Sequence, residues 1–179
     1  MIHYKDLPDE VASTFLQEID LSPVSYRSGF QWVFVNTNDC LTSTGKQWFK
    51  DRNIIVYEQA MLFKAESNSE HPLHTDGEFL DAAFNFVLNK QGELQWASDI
   101  ESDVVIANNV VNSFTFTRYQ NVKKMTVIDK WSGNAGLVRI GRPHRVVTYS
   151  EPRFCLSIRP VPFGSVGSAF KFDDLVNLF

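Results

Sequence analysis

Residues 141–160 read GRPHRVVTYSEPRFCLSIRP. Two short runs, HRVVTYS and RFCLSIR, are rich in β-branched and aromatic residues and read as strands, parted by the turn signal Ser150-Glu151-Pro152. On a strand running from 153 to 159, side chains alternate. Arg153, Cys155, Ser157 and Arg159 then share one face, and Phe154, Leu156 and Ile158 share the other. The second face is core. The first carries two guanidinium groups on a strand otherwise fit for burial. A buried arginine needs an anionic partner, because an unpaired charge taken out of water costs several kcal/mol. A guanidinium matches a carboxylate with two parallel hydrogen bonds.

The same short-strand pattern extends outward in both directions. GFQWVFVN places Phe30, Trp32 and Phe34 on one parity, and NIIVYEQAMLFKA reads as one long strand followed by the polar loop ESNSEHP. DAAFNFVLN, ELQWA, DVVIAN, NSFTFTRY, KMTVID and GLVRIG complete the set, with turns at Lys90-Gln91-Gly92 and Ser132-Gly133-Asn134. Ahead of them, KDLPDEVASTFLQEID predicts a helix over about residues 6–20. Pro8 suits its first turn, Asp9 and Glu10 oppose the helix dipole, and Val11, Phe15 and Ile19 form an apolar stripe. The tail, AFKFDDLVNLF, can close in a short helix. About ten short strands behind one helix do not fit alternating βαβ units. They predict a mainly β protein, an antiparallel sandwich, barrel or jelly roll.

Composition sets the outer bounds. A chain of 179 residues with 44% hydrophobic and 21% charged residues is enough for one domain with a proper core. Net charge of −4 gives no general pull toward nucleic acid or anionic membrane. The 15 Phe and 4 Trp read as core, not as a stacking platform. Cys40 and Cys155 lie outside any CxxC spacing and read as reduced thiols, Cys155 as a small buried filler. With a polar N-terminus and no long apolar run, a soluble cytoplasmic protein is expected.

The chemistry is carried by few residues. In HPLHTDGEFL, His74 and Asp76 stand at i and i+2, so on a strand both point one way. Two ligands do not make a catalytic metal site. Of the other histidines, His3 sits at a terminus expected to be mobile, and His71 lies in a loop where it can at most line a rim. That leaves His144, opening a strand 68 residues after Asp76. Two His and one carboxylate, with the remaining positions open, are the ligand set of non-haem Fe(II) oxygenases. His74, Asp76 and His144 are therefore the candidate catalytic and metal-binding residues.

HTD at 74–76, His144 and Arg153 nine residues on resemble the Fe(II)/2-oxoglutarate-dependent oxygenases, with HRV and GELQW similar to prolyl-hydroxylase-type members. The resemblance covers roughly residues 54 to 160. It implies a double-stranded β-helix (a cupin-like jelly roll) at about 28–160, with the N-terminal helix packed outside and 161–179 as a tail, all one domain. It implies Fe(II), 2-oxoglutarate as cosubstrate, dioxygen and ascorbate as an auxiliary reductant, and hydroxylation of substrate with release of succinate and CO2. Arg153 would hold the distal carboxylate of 2-oxoglutarate. Arg159, a second candidate contact to 2-oxoglutarate, is similar in spacing to the RxxxxxR of nucleic-acid-demethylating members, while Cys155 stands where some members have serine. Tyr57 and Asn85 are cosubstrate contacts by strand parity only. A protein side chain or a small molecule is the favoured substrate, nucleic acid is disfavoured, and neither the exact substrate nor the oligomeric state is specified.

Each residue also has a structural reading. His74 and Asp76 can be a surface pair. Arg153 can pair with Asp103 or Glu101, and Arg159 can be structural or on the rim. Lys123, Lys124, Arg142 and Arg145 read as solvated or rim charges. At the level of function the alternatives are a cupin-like zinc or other metalloenzyme, since catalytic zinc also accepts two His and a carboxylate, and a non-catalytic jelly-roll binding module.

Overall fold

A computed structural model of the chain describes residues 1–25, 28–76, 81–89, 91–109, 114–162 and 170–178. It opens with strand β1 (Tyr4–Asp6) and helices α1 (Asp9–Phe15) and α2 (Ser22–Ser25). Strand β2 (Gln31–Asn36), helices α3 (Thr37–Cys40) and α4 (Ser43–Asp51), and strands β3 (Ile54–Val56) and β4 (Gln59–Ala65) follow. The body is built from β5 (His74–Thr75), β6 (Ala82–Val87), β7 (Glu93–Asn109), β8 (Phe114–Trp131), β9 (Ala135–Arg139), β10 (His144–Val147) and β11 (Arg153–Ile158). Strand β12 (Pro160–Pro162) and helix α5 (Phe172–Val176) complete it.

The pairing defines the architecture. One antiparallel sheet has the order β1-β9-β6-β11-β4-β2, and a second closes on itself as β10-β5-β8-β7. From β4 onward the chain alternates between them. β4, β6, β9 and β11 lie in the first sheet, and β5, β7–β8 and β10 in the second. That alternation is a double-stranded β-helix, the jelly roll expected from the sequence. β3 and β12 form a separate ribbon.

The six-stranded sheet is buried on both faces, which explains why β9 and β11 are buried almost throughout. Leu156 and Ile158 of β11, Leu62 of β4 and Phe84 and Phe86 of β6 join Phe15, Phe49 and Phe172 of the helices in the main core. The opposite face, with Cys155 and Ser157, looks toward the second sheet.

Several expectations are corrected. The N-terminal helix spans Asp9–Phe15 and not 6–20, because residues 4–6 pair with β9 as an edge strand. Helix α4 was not legible as a strand-poor gap. It is capped by the Thr42 hydroxyl, which accepts from the Gly45 amide at 3.1 Å. Gly45 allows α1 and α4 to touch, since a Cβ there would meet the Phe15 carbonyl oxygen at 2.7 Å. The run 53–65 is broken at 57–58 into β3 and β4. Conversely, ELQWA with DVVIAN and NSFTFTRY with KMTVID fuse into two long strands of 17 and 18 residues, interrupted by register shifts between Trp96 and Asp103. His3 is not mobile. It is buried, its ring stacks on Trp96 at 5.5 Å, and it bonds Asp129 at 3.1 Å. Both cysteines are buried free thiols. Among the described residues, no helix is long and apolar enough to cross a membrane.

Candidate metal centre

His74 and His144 face one another across neighbouring strands: they are directly paired where β5 meets β10, with ring centroids 4.4 Å apart. Directly opposed residues project to the same side of a sheet, so the pairing alone brings both imidazoles into the space between the two sheets. Asp76 follows His74 by two residues. Its amide donates to the Ile140 carbonyl at 3.0 Å, which holds the chain past the strand end. One ligand atom from each of the three lies within 4.8 Å of the other two. His74 Nε2 is 3.3 Å, and His144 Nε2 3.8 Å, from Asp76 Oδ1.

Second contacts orient the rings. His74 Nδ1 lies 2.9 Å from the Pro72 carbonyl oxygen, and His144 Nδ1 lies 2.8 Å from that of Arg142. A carbonyl only accepts, so each Nδ1 carries the proton. In the neutral ring Nε2 then presents a lone pair, as metal-binding imidazoles held by a second partner do. Burial and the neighbouring His74 push the His144 pKa down to about 4, which keeps the ring neutral at pH 7. Two imidazole Nε2 atoms thus converge on one carboxylate oxygen. Such a set of donors is electrostatically incomplete until a cation lies among them.

The carboxylate is kept ionised. Burial pushes the Asp76 pKa up, but the Arg159 guanidinium, foremost among the opposing influences, outweighs it, and the net shift is down. The dominant partner is Arg159, whose Nη2 donates to Asp76 Oδ2 at 2.5 Å. Arg159 also donates from Nη1 to Ser157 Oγ at 2.9 Å, and Ser157 donates to Asn85 Oδ1 at 2.6 Å. A buried polar relay therefore runs from β6 through β11 to the metal-facing carboxylate. Asn85, suggested by parity, belongs to this relay. Ser157 was on the named face but carried no distinguishing signal.

Arg153 differs from Arg159 in one respect. It is equally buried and lies on the same face of β11. Yet among the described residues it has no ion pair. It contacts the Cys155 thiol. The acidic partners suggested by the sequence are elsewhere: Asp103 accepts from Asn121 at 2.7 Å, and Glu101 lies across from Lys124. Gly92, at φ +111°, passes so close that a Cβ would come within 3.2 Å of Arg153 Cδ, so the side-chain stem is confined. Tyr57 is 41% exposed, and what it brings to Arg159 is its backbone amide, bonded to the Arg159 carbonyl at 2.9 Å.

His71 is closer to the centre than a rim residue. Its ring packs edge-on to His74 at 4.9 Å and against Phe30 at 3.8 Å. Burial, with help from His74, pushes its pKa down to about 3, and its Nδ1 is buried without a hydrogen-bond partner among the described residues. The segment before it does not hang free over the site. Ser69 and Thr148 exchange backbone and hydroxyl hydrogen bonds, and the His71 amide donates to Val146 at 2.8 Å. Lys123 and Lys124 are exposed, and Arg145 pairs with Glu70, in line with rim charges.

The aromatic residues divide into two groups. Phe15, Phe49, Phe84, Phe86 and Phe172 are core, as expected. The row on β2 is not. Trp32 is 42% exposed, and Phe30 and Phe34 are half-buried.

No family model matches the chain, and no curated protein matches it. Among solved structures it is similar to procruciferin, an 11S globulin from Brassica napus, at 9% identity and TM-score 0.35, over 75% of this chain and 26% of that one. It is similar to the vicilin from Solanum melongena at 5% and 0.40, over 80% and 32%. It is similar to an RmlC-like cupin protein from Desulfovibrio desulfuricans at 14% and 0.34, over 80% and 95%. The chain spans only about a quarter to a third of the length of the first two. Likenesses this distant assign neither ligand nor activity.

Proposed function

We propose that the chain is a non-haem Fe(II)- and 2-oxoglutarate-dependent oxygenase that hydroxylates a small molecule or a protein side chain. The observation that carries this reading is the buried guanidinium of Arg153, which has no carboxylate partner among the described residues, on the strand face that also presents Arg159 to Asp76. The donor set, two imidazole nitrogens and one carboxylate, fits a borderline divalent ion such as Fe(II). A structural or hydrolytic metal site has no use for a second buried cation. A dicarboxylate cosubstrate does.

In this reading His74, Asp76 and His144 hold the ion. Arg159, steadied by Ser157 and Asn85, keeps Asp76 ionised and aimed. Arg153 takes the distal carboxylate of 2-oxoglutarate by charge-assisted hydrogen bonds. Bound iron and 2-oxoglutarate supply the oxidising power: the cosubstrate and dioxygen become succinate and CO2 while a substrate C–H becomes C–OH.

The test is anaerobic titration of iron-loaded protein with 2-oxoglutarate, followed by the visible charge-transfer band of the chelate. Wild type is expected to give a saturable band. Arg153→Ala is expected to need at least about tenfold more 2-oxoglutarate, the loss set by a charge-assisted pair. A folded, iron-loaded protein that gives no band overturns the reading.

A further inference from the structure

The aromatic row on β2 is on the same side of the sheet as the metal centre. Trp32 is directly opposite Phe63 on β4, and Phe63 is directly opposite Cys155 on β11. Directly opposed side chains share a face, and Cys155 shares its face with Ser157 and Arg159, the residue that grips Asp76. One row along, Phe34, Met61 and Ser157 line up in the same way. A second route reaches the same place. Phe30 packs on Phe63 at 5.7 Å and on His71 at 3.8 Å, and His71 packs on His74.

A core would bury these rings. Here the sheet ends at β2, which pairs with β4 alone, and the rings stay partly in water. Trp32 and Phe34 meet edge to face at 5.2 Å and 75°. That geometry fixes the two rings against each other while leaving the broad face of a ring open to a third partner. An exposed, pre-packed aromatic surface continuous with a reactive centre is a place where a flat apolar group gains by leaving water.

We propose that Trp32 and Phe34, with Phe63 beside them, form the wall that receives the substrate of the metal centre, and that this substrate presents an aromatic ring. The assignment of the wall as a substrate wall rests on the oxygenase reading. The ring-binding surface itself does not, and the experiment separates the two.

The experiment uses the full chain without iron, labelled so that the four tryptophan indole N–H resonances are seen by NMR. The Trp32 resonance is identified by its loss in Trp32→Phe. Indole and p-cresol serve as aromatic probes and cyclohexanol as a neutral, non-aromatic control. Saturable shifts centred on Trp32 are expected with both aromatic probes, with at least about tenfold weaker binding of cyclohexanol. Trp32→Ala is expected to weaken the aromatic probes at least about tenfold, and Trp32→Phe to retain most of the binding. The untouched resonances of Trp96 and Trp131 report that each variant is folded. Absence of a saturable shift at Trp32, equal binding of cyclohexanol, or unchanged binding in a folded Trp32→Ala protein overturns the proposal. Probe binding in a protein that fails the 2-oxoglutarate titration would refute the oxygenase reading and leave the ring surface standing.

Discussion

The six-stranded sheet has two faces, and they obey different rules. On the helix side, Leu62, Phe84, Leu156 and Ile158 are wholly buried against apolar neighbours. On the side of the second sheet, the same strands carry Asn85, Arg153, Ser157 and Arg159, all 8% exposed or less. One face is a core that lowers free energy by leaving water. The other is a polar interior in which a buried charge that loses its partner is costly. A change of chemistry is therefore tolerated or not according to which face it strikes.

The largest effect is expected from Asp76→Ala. It removes a ligand and also leaves Arg159 buried without its carboxylate. Breaking one half of a buried pair costs about 3–5 kcal/mol. Calorimetry should show metal binding abolished, and denaturant melts should show that loss of stability. Adding Arg159→Met removes the stranded cation. The double variant is expected to regain much of the stability and none of the metal binding. If the double variant is no more stable than the single one, the ion pair does not carry the structural role assigned to it.

On the opposite face the two effects separate in the other direction. Phe84 is fully buried, with the rings of Phe49 and Trp48 edge-on at 5.0 and 5.9 Å. Phe84→Ala is expected to cost about 3–5 kcal/mol through the cavity it leaves. Metal affinity per folded molecule should be unchanged, because no polar contact of the centre passes through it. Weakened metal binding in the folded fraction would show that the two faces are coupled.

The polar face should also make the metal-free protein acid-sensitive. His144 and His71 are held neutral, with pKa values of about 4 and about 3 against 6.5 in the unfolded chain. Between those values and 6.5 the unfolded state binds more protons than the folded state, so stability falls as pH falls. The contribution is fully present above pH 6.5 and is lost progressively toward pH 4 and 3. Asp76, with its pKa lowered from 3.8, adds to the loss only below that range. Urea melts of metal-free protein at pH 7, 5.5 and 4.5 are expected to show the decline, and His144→Asn to make it shallower. A flat profile across that range would mean that neither ring is held neutral by burial.

Much of this was legible in the chain itself, for reasons that differ between residues. The jelly roll follows from many short alternating runs, and the HTD spacing sets two donors two residues apart, with Asp76 held just past the strand end by the Ile140 carbonyl. The parity of 153, 155, 157 and 159 gives the polar face directly. What could not be read was which arginine has a partner. Residues 153 and 159 have the same chemistry and parity, and only the approach of Asp76 to one of them separates their roles. Helix α4 was missed because STGKQWFKD is short, offers only Trp48 and Phe49 as large apolar residues, and is held by the Thr42 cap and the Gly45 contact. His3 was misjudged because its anchors, Trp96 and Asp129, lie more than 90 residues away.

The β2 row shows why parity by itself assigns no environment. Phe30, Trp32 and Phe34 have the alternation of a core strand, and a strand in the middle of the sheet would bury them. At the edge, one flank lacks a neighbour, so the same pattern produces a half-open aromatic surface. The smallest of the expected stability effects follows from that placement. Trp32→Ala should cost about 1 kcal/mol, an ordinary value for a partly exposed site, against several for Phe84→Ala. Parallel urea melts of the two variants make the comparison. A loss at Trp32 as large as that at Phe84 would mean that the ring is a structural element of the sheet edge, and that its exposure reflects packing alone and not a surface kept open for a ligand.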